Sequence, residues 1–458
     1  MTLIKSISGI RGTIGDKPGN GLTPLDIVKF TSAYAMWIKS RGEKERYKII
    51  TGRDSRISGN MVNQIVCGTL MGMGMDVTDL GPASTPTVEI AVQREKADGG
   101  IILTASHNPV QWNALKLLNN KGEFLTAEDG SQLLEIANSE LFDYADAFDL
   151  GSYNTDDSFS TKHIEAIMEL PLVDVEAIRK RGYKIAVDCV NSVGSLIIPE
   201  LLKALGVKEV VKLYCEPDGL FPHNPEPLSE NLQELSSKVV SEKADLGFAV
   251  DPDVDRLAIV NEDGTMFGEE YTLVAVADYV LGNNPGNTVS NLSSTKALRE
   301  LTESHGGKHT ASAVGEVNVI SEMKKNKAVI GGEGNGGVIY PDLHYGRDAL
   351  AGIALFLTHL AKQGVKCSQL RKKYPDYHIS KNKLQLSEGV NIDEILENLK
   401  KQYADHPVND VDGIKIDFAD GWVHLRKSNT EPVIRIYSEG SDRQQAEKLG
   451  EMIISKIK

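Results

Sequence analysis

The chain has 458 residues, of which 41% are hydrophobic and 25% charged, and a formal net charge of −14. At about 150 residues per domain this points to three or four folded domains with ample apolar material for separate cores. An acidic chain repels nucleic-acid backbones at long range, so no nucleic-acid partner is expected, and a small anionic ligand needs a basic pocket or a cation to offset the field.

In chain order, the first patterned segment is a helix. Thr23 is its cap, Pro24 suits its first turn and Asp26 complements its N-terminus. Ile27, Phe30, Tyr34, Trp37 and Ile38 then recur at helical spacing, and Gly42 marks the expected stop. A strand over 48–50 runs into Thr51-Gly52-Arg53-Asp54-Ser55-Arg56, a helix is expected over 60–71, and a strand over 101–103 leads into a short polar turn. The alternation returns with a strand over 183–188, a turn at Gly194 and a helical run over 196–205. Strands over 245–250 and 288–291 follow, the first ending in acidic residues. Strands alternating with helices indicate α/β units. From 411 to 436 short strands alternate apolar and polar positions, and a final helix puts Ala446, Leu449, Met452, Ile453 and Ile457 on one face. The predicted fold is therefore three related α/β domains plus a C-terminal α+β domain. The expected ranges are 1–150, 151–255, 256–375 and 376–458, with an Asp- and Ser-rich linker over 149–160.

Cys67, Cys189, Cys215 and Cys367 form no Cys-x-x-Cys pair and fit no zinc spacing, so they read as buried thiols in a reducing compartment. The first residues have no long apolar h-region, and no run approaches the ~20 apolar residues of a membrane span. A cytoplasmic location and no membrane partner are expected.

Four segments carry chemistry. Ser106, in Thr104-Ala105-Ser106-His107-Asn108-Pro109, follows an apolar strand, and ligands of open α/β sheets gather at the carboxyl ends of strands. His107 and Lys116 nearby are suited to moving protons or neutralising phosphate. The hexapeptide alone fits an ordinary Ser or Asx turn equally well. In Asp251-Pro252-Asp253-Val254-Asp255-Arg256, alternate carboxylates share one side of an extended loop and repel unless a cation binds. Oxygen-only ligands favour Mg²⁺, and a solvated acidic hairpin is the alternative. An EF-hand loop counted from Asp251 would end at Glu262, but its sixth position, which needs Gly, is Arg256, and the flanks read as strands. Gly331-Gly332-Glu333-Gly334-Asn335-Gly336-Gly337 lets backbone approach a ligand, while Glu333 and Asn335 suit sugar hydroxyls. Alone it fits a flexible turn equally well. It has neither a Walker ending nor a dinucleotide fingerprint, so neither ATP nor NAD is implied. Arg426-Lys427-Ser428-Asn429-Thr430-Glu431-Pro432-Val433-Ile434-Arg435 gathers guanidiniums, hydroxyls and an amide suited to a phosphate, with a charged surface turn as the alternative.

Together and in this order the segments resemble the α-D-phosphohexomutase superfamily over essentially the whole chain. Ser8-Gly9-Ile10-Arg11-Gly12 is similar to its opening motif. The Ser106 turn resembles its phosphoserine loop, Asp251 to Arg256 its metal loop, Gly332 to Gly337 its sugar loop, and Arg426 to Arg435 its phosphate loop. The resemblance implies four domains around a central active-site cleft, with Ser106 phosphorylated in the active form. Asp251, Asp253 and Asp255 would hold Mg²⁺ together with an oxygen of the Ser106 group. It also implies interconversion of hexose 1-phosphate and 6-phosphate through a hexose 1,6-bisphosphate, which also acts as activator. Arg11, His107 and Lys116 are the expected catalytic companions of Ser106. Arg256, Glu333 and Asn335 are expected at the substrate, with Arg426, Ser428, Asn429, Thr430 and Arg435 at its phosphate. The expected partner is a small sugar phosphate, and a homodimer is left open.

The sequence also departs from the pattern. Many members have His where Gly337 stands, so that residue's proton-transfer role cannot be carried over; His344 is close in sequence and is a candidate to enter the site, but such a His is more often hydrogen-bonded structure. Residues 287–294 contain no Lys, and Asn335 replaces a common Ser. The Gly-Glu-Gly-Asn-Gly-Gly form looks most like phosphoglucosamine mutases and archaeal-type mutases. Glucosamine phosphate is therefore the expected substrate, phosphomannomutase or phosphoglucomutase activity the alternative, and a metal-dependent sugar phosphatase the more distant one. Ser58 and Asp188 read as structural.

Overall fold

The computed structural model describes residues 2–6, 9–385, 391–427 and 433–457. Contacts divide the chain into two compact units. The first comprises Met1–Thr272 and Asn335–Ser368, the second Leu273–Gly334 and Gln369–Lys458.

In the first unit, helix Pro24–Lys39 begins as its sequence predicts. The Thr23 hydroxyl accepts from the Asp26 N–H while the Asp26 carboxylate accepts from the Thr23 N–H, forming a capping box. The helix stops at Lys39, short of Gly42, where the Arg41 N–H turns back to the Ile38 carbonyl at 3.0 Å and the Ser40 hydroxyl donates to the Trp37 carbonyl. Helix Gly59–Gly72 covers the expected 60–71 run.

The largest sheet is seven-stranded, in the order Ile4–Ser6, Gly9–Thr13, Trp112–Leu118, Gly99–Leu103, Tyr47–Arg53, Met75–Pro82, Tyr153–Thr155. Strand Gly99–Leu103 is buried along its whole length, parallel to Tyr47–Arg53 and antiparallel to Trp112–Leu118. Its carboxyl end carries the Ser106 turn out of the middle of the sheet. Tyr153–Thr155 pairs in parallel with Met75–Pro82, and Ser152 donates through N–H and hydroxyl to the Asp76 carboxylate. The 149–160 stretch is therefore partly an edge strand and not a plain linker, and this sheet runs past residue 150.

The second sheet has the order Leu257–Asn261, Leu246–Val250, Lys184–Asp188, Glu209–Leu213. Val250 faces Leu257 in an antiparallel register. The acidic loop is thus the turn of a hairpin whose two strands share one core, and the sheet extends beyond the expected boundary at 255.

In the second unit, His309–Ser312, Asn287–Asn291 and Ala328–Glu333 run parallel. A five-stranded antiparallel sheet follows, ordered His378–Gln385, Val433–Gly440, Gly421–Lys427, Ile414–Phe418, Val408–Asn409. Helix Arg443–Ile457 buries Ala446, Leu449 and Ile453 against it, with Met452 and Ile457 partly buried. Lys415 donates to the Leu292 carbonyl at 2.8 Å and the Lys296 N–H to Glu439 at 3.1 Å, joining the two sheets of this unit. No helix among the described residues is long and apolar enough to cross a membrane.

Candidate active site

Ser106 sits in the left-handed region at φ 49°, a conformation that costs on the order of 1 kcal/mol or more and persists only where neighbours enforce it. The enforcing network is buried. The Ser106 N–H donates to the Thr104 hydroxyl at 3.0 Å, and that hydroxyl donates to Asp54 at 2.6 Å. The Arg56 Nε donates to the same Asp54 carboxylate at 2.9 Å. The rest of the guanidinium donates to the carbonyls of Asn108 and Pro109 at 2.6 Å each, Trp112 at 3.1 Å, and Ser106 itself. Burial pushes the Asp54 carboxyl up, and the pull of Arg56 only partly offsets it. Asp54 and Arg56 are functional supports that sequence reading passed over. Both stand in the quoted 51–56 segment, but nothing local marks their target 50 residues away.

The hairpin delivers three carboxylates to the same place. Asp251, Asp253 and Asp255 are fully buried, and one oxygen of each lies within 4.8 Å of the others. The Ser106 hydroxyl donates to Asp251 Oδ2 at 2.8 Å, and Asp251 Oδ1 accepts the N–H groups of Asp255 and Arg256 at 3.1 Å. Asp253 Oδ2 is held by Lys116 Nζ and by the Thr85 hydroxyl, both at 2.6 Å. Asp255 Oδ2 is held by Arg347 at 2.6 Å. The other oxygens, Oδ1 of Asp253 and of Asp255, are buried and have no hydrogen-bond partner among the described residues. Two of the aspartates thus have one oxygen fixed by the protein and one left over. An all-oxygen donor set with orphaned buried acceptors fits a hard cation such as Mg²⁺.

The electrostatics agree with that fit. Burial, then Asp255 and Asp253, push the Asp251 carboxyl well above the usual range. Burial would raise Asp253 too, but Lys116 overrides it and holds this carboxyl below the usual range. Burial works against the Lys116 ammonium, yet Asp253 and Asp255 outweigh it and raise its pKa. The His107 Nδ1 lies 3.3 Å from the Ser106 Oγ. Arg256, burial and Arg11 drive this imidazole well below its ordinary value, so it is neutral. Arg11, on Gly9–Thr13, is lowered by burial and by Arg256. Arg256 lies 3.5 Å from Glu226 and 3.8 Å from Asp255.

The remaining predicted residues are distributed as follows. Asn335 belongs to the first unit, where its Oδ1 accepts the Gly337 N–H at 3.2 Å. Glu333 belongs to the second unit, where it accepts from Asn291 at 2.8 Å and from the Gly315 N–H at 3.1 Å. Arg426 and Arg435 are direct partners on adjacent strands of the second unit. Like charges directly opposite each other destabilise a sheet unless an anion compensates them, and the Arg426 Nε is buried without a hydrogen-bond partner among the described residues. Ser8, Ser428, Asn429 and Thr430 lie outside the described residues. Arg426→Ala is expected to raise KM for a sugar phosphate by about 10- to 150-fold, the equivalent of a charge-assisted contact. Steady-state kinetics showing an unchanged KM would contradict the assignment.

His344 is held in a hydrogen-bonded cluster. It is buried, 3.2 Å from Asp348 and 3.4 Å from Glu89. Asp188 accepts from His223 at 3.0 Å, and Ser58 accepts from Asn113 at 2.9 Å. Thr85 and Arg347 are further supports of the triad without a signal in their local sequence.

Fold and site together define a multidomain α/β protein in which a serine with a left-handed backbone faces a buried carboxylate triad. The sequence matches family models described as phosphoglucomutase/phosphomannomutase α/β/α domains I, II and III at residues 3–143, 161–264 and 268–377, and the C-terminal domain at 383–456. The chain belongs to this family, within the α-D-phosphohexomutase superfamily. A relative from Thermococcus kodakarensis named phosphoglucomutase/phosphomannomutase is 38% identical, covering 97% of this chain and 96% of its own. The phosphoglucosamine/phosphogalactosamine mutase of Sulfurisphaera tokodaii is 32% identical, covering 96% of each chain. A crystal structure of a phosphoglucomutase/phosphomannomutase family protein from Burkholderia thailandensis superposes with a TM-score of 0.84 at 27% identity, over 98% of this chain and 96% of that one.

Proposed function

We propose that this phosphohexomutase interconverts glucosamine 6-phosphate and glucosamine 1-phosphate by phosphoryl transfer through Ser106. The observation that carries the chemistry is the 2.8 Å contact of the Ser106 hydroxyl with a buried triad of aspartates that keeps oxygens in reserve. In the phosphorylated enzyme, the bond from phosphorus to Ser106 Oγ breaks as a bond to a sugar hydroxyl oxygen forms, and the proton given up by that hydroxyl ends on Oγ, which returns to the serine hydroxyl. The resulting 1,6-bisphosphate turns over and returns its other phosphoryl group to Oγ. Asp251, Asp253 and Asp255 would hold Mg²⁺, which supplies positive charge against the phosphoryl oxygens. Arg11 and Lys116 add fixed positive charge, and neutral His107 is placed to exchange a proton with Oγ. Arg256, Glu333 and Asn335 contact the sugar, and Arg426 and Arg435, with Ser428, Asn429 and Thr430, grip the phosphate that is not reacting. The reading includes a cytoplasmic setting, which suits four cysteines that are all free.

A second reading, phosphoglucomutase or phosphomannomutase activity, is favoured by the name of the 38% identical relative. Turnover of glucosamine, glucose and mannose phosphates measured side by side with a bisphosphate activator separates the two. The expected result is a glucosamine rate at least equal to the others. A glucosamine rate far below the glucose rate overturns the sugar and leaves the mutase. Sustained release of inorganic phosphate without isomerisation makes the protein a phosphatase instead.

A further inference from the structure

Gly337 has no positive φ, so backbone conformation does not demand glycine there. Space does. A Cβ at this position would stand 2.4 Å from Arg347 Cδ and 3.1 Å from its Cγ, because the arginine side chain lies across the glycine. Beyond it the guanidinium ends on Asp255 Oδ2 at 2.6 Å. We propose that Arg347, threaded over Gly337, is a positioning residue that turns the second oxygen of Asp255 toward the bound cation; this rests on the metal reading of the aspartate triad.

Each end of the arginine is fixed. Arg347 bridges Ile339, and the Asp348 N–H donates to the Val338 carbonyl at 2.8 Å, setting 347 in register with the glycine loop. Next to it, Asp348 caps helix Ala349–Gln363 by accepting the N–H groups of Leu350 at 2.8 Å and Ala351 at 3.2 Å. Its other oxygen receives His163 Nε2 at 2.9 Å and His344 Nε2 at 3.2 Å. On the far side, a Cβ at Gly346 would meet Glu89 at 2.0 Å, so the segment has no slack to slide. The guanidinium therefore has a fixed origin, a fixed path and a carboxylate at its tip. That carboxylate's Oδ1 is buried, lies 3.8 Å from the Arg256 Nε, and accepts no hydrogen bond among the described residues. Groups that orient a ligand from behind are typically worth 10–100-fold in metal affinity. The glycine that breaks the sugar-loop pattern and the arginine ten residues later are thus one device.

The test is calorimetric titration of the purified full-length protein with Mn²⁺, comparing wild type, Arg347→Gln, Arg347→Lys, Gly337→Ala and Asp253→Asn. Arg347→Gln and Gly337→Ala are expected to raise the Mn²⁺ Kd about 10- to 100-fold, with partial recovery in Arg347→Lys. Thermal melts identify a variant that loses metal because it unfolds, and Arg347→Gln, which removes the charge-assisted contact, decides the case. An unchanged Kd in Arg347→Gln, with binding lost in Asp253→Asn, overturns the role of Arg347 alone. Unchanged binding in Asp253→Asn as well removes the metal loop, and the inference with it.

Discussion

Ser106→Ala is expected to lower mutase turnover on the order of 10⁴-fold or more, the scale seen when a nucleophile is removed from a unit that acts together. The fold should survive. The substitution deletes the hydroxyl contacts to Asp251 at 2.8 Å and to His107 at 3.3 Å, each worth about 1 kcal/mol, while the clamp on the turn runs through the backbone N–H of residue 106, Thr104 and Arg56. Intact mass and peptide mapping give a second readout. Wild-type protein should carry one phosphoryl group on the peptide containing Ser106, and the variant none. Normal turnover in Ser106→Ala, or a phosphate mapped to another serine, would remove the nucleophile from this position.

Arg56→Met should give the largest loss of stability among the site residues. Arg56 is buried, neutralises Asp54, and donates to carbonyls of four residues in the 106–112 segment. Methionine keeps the apolar bulk against Phe221, whose ring centroid lies 5.0 Å from the guanidinium, but it leaves Asp54 unpaired in the interior and those carbonyls without their donor. Breaking a buried pair by removing one partner costs about 3–5 kcal/mol. Denaturant melts should show that loss, and turnover in the folded fraction should fall because Ser106 loses the clamp holding its φ of 49°. A melt within about 1 kcal/mol of wild type would show that the turn holds its own shape. The Asp54–Arg56 pair would then be incidental to the site.

Both predictions turn on residues that differ in how visible they are in the sequence. Ser106 and the three aspartates announce themselves because their chemistry is local. A polar turn behind an apolar strand, and carboxylates alternating in a loop, are patterns a few residues long. The first helix was legible to its cap for the same reason, since Thr23 and Asp26 satisfy each other within one turn. Its end was not, because Ser40 closes the helix before the glycine that looked like a stop. Strand pairing crosses the expected breaks at 150 and 255. Tyr153–Thr155 joins Met75–Pro82, and Leu257–Asn261 folds back on Leu246–Val250. A composition shift marks where chain becomes polar, not which edge it will pair with.

The sequence by itself determined the family, the alternating α/β architecture with its α+β C-terminal domain, and the candidate serine and carboxylates. These rest on spacings of two, three or four residues, set by the geometry of strand, turn and helix. Tertiary structure alone decided what stands behind them. Thr85 reaches Asp253 across 168 residues, Arg347 reaches Asp255 across 92, and Arg56 reaches the Ser106 turn across 50. Such partners are chosen when sheets and hairpins pack, by burial that leaves a charge no alternative to the group in front of it. Gly337 shows the division most plainly. In the sequence it is a missing histidine; in the fold it is the space through which an arginine reaches the aspartate triad.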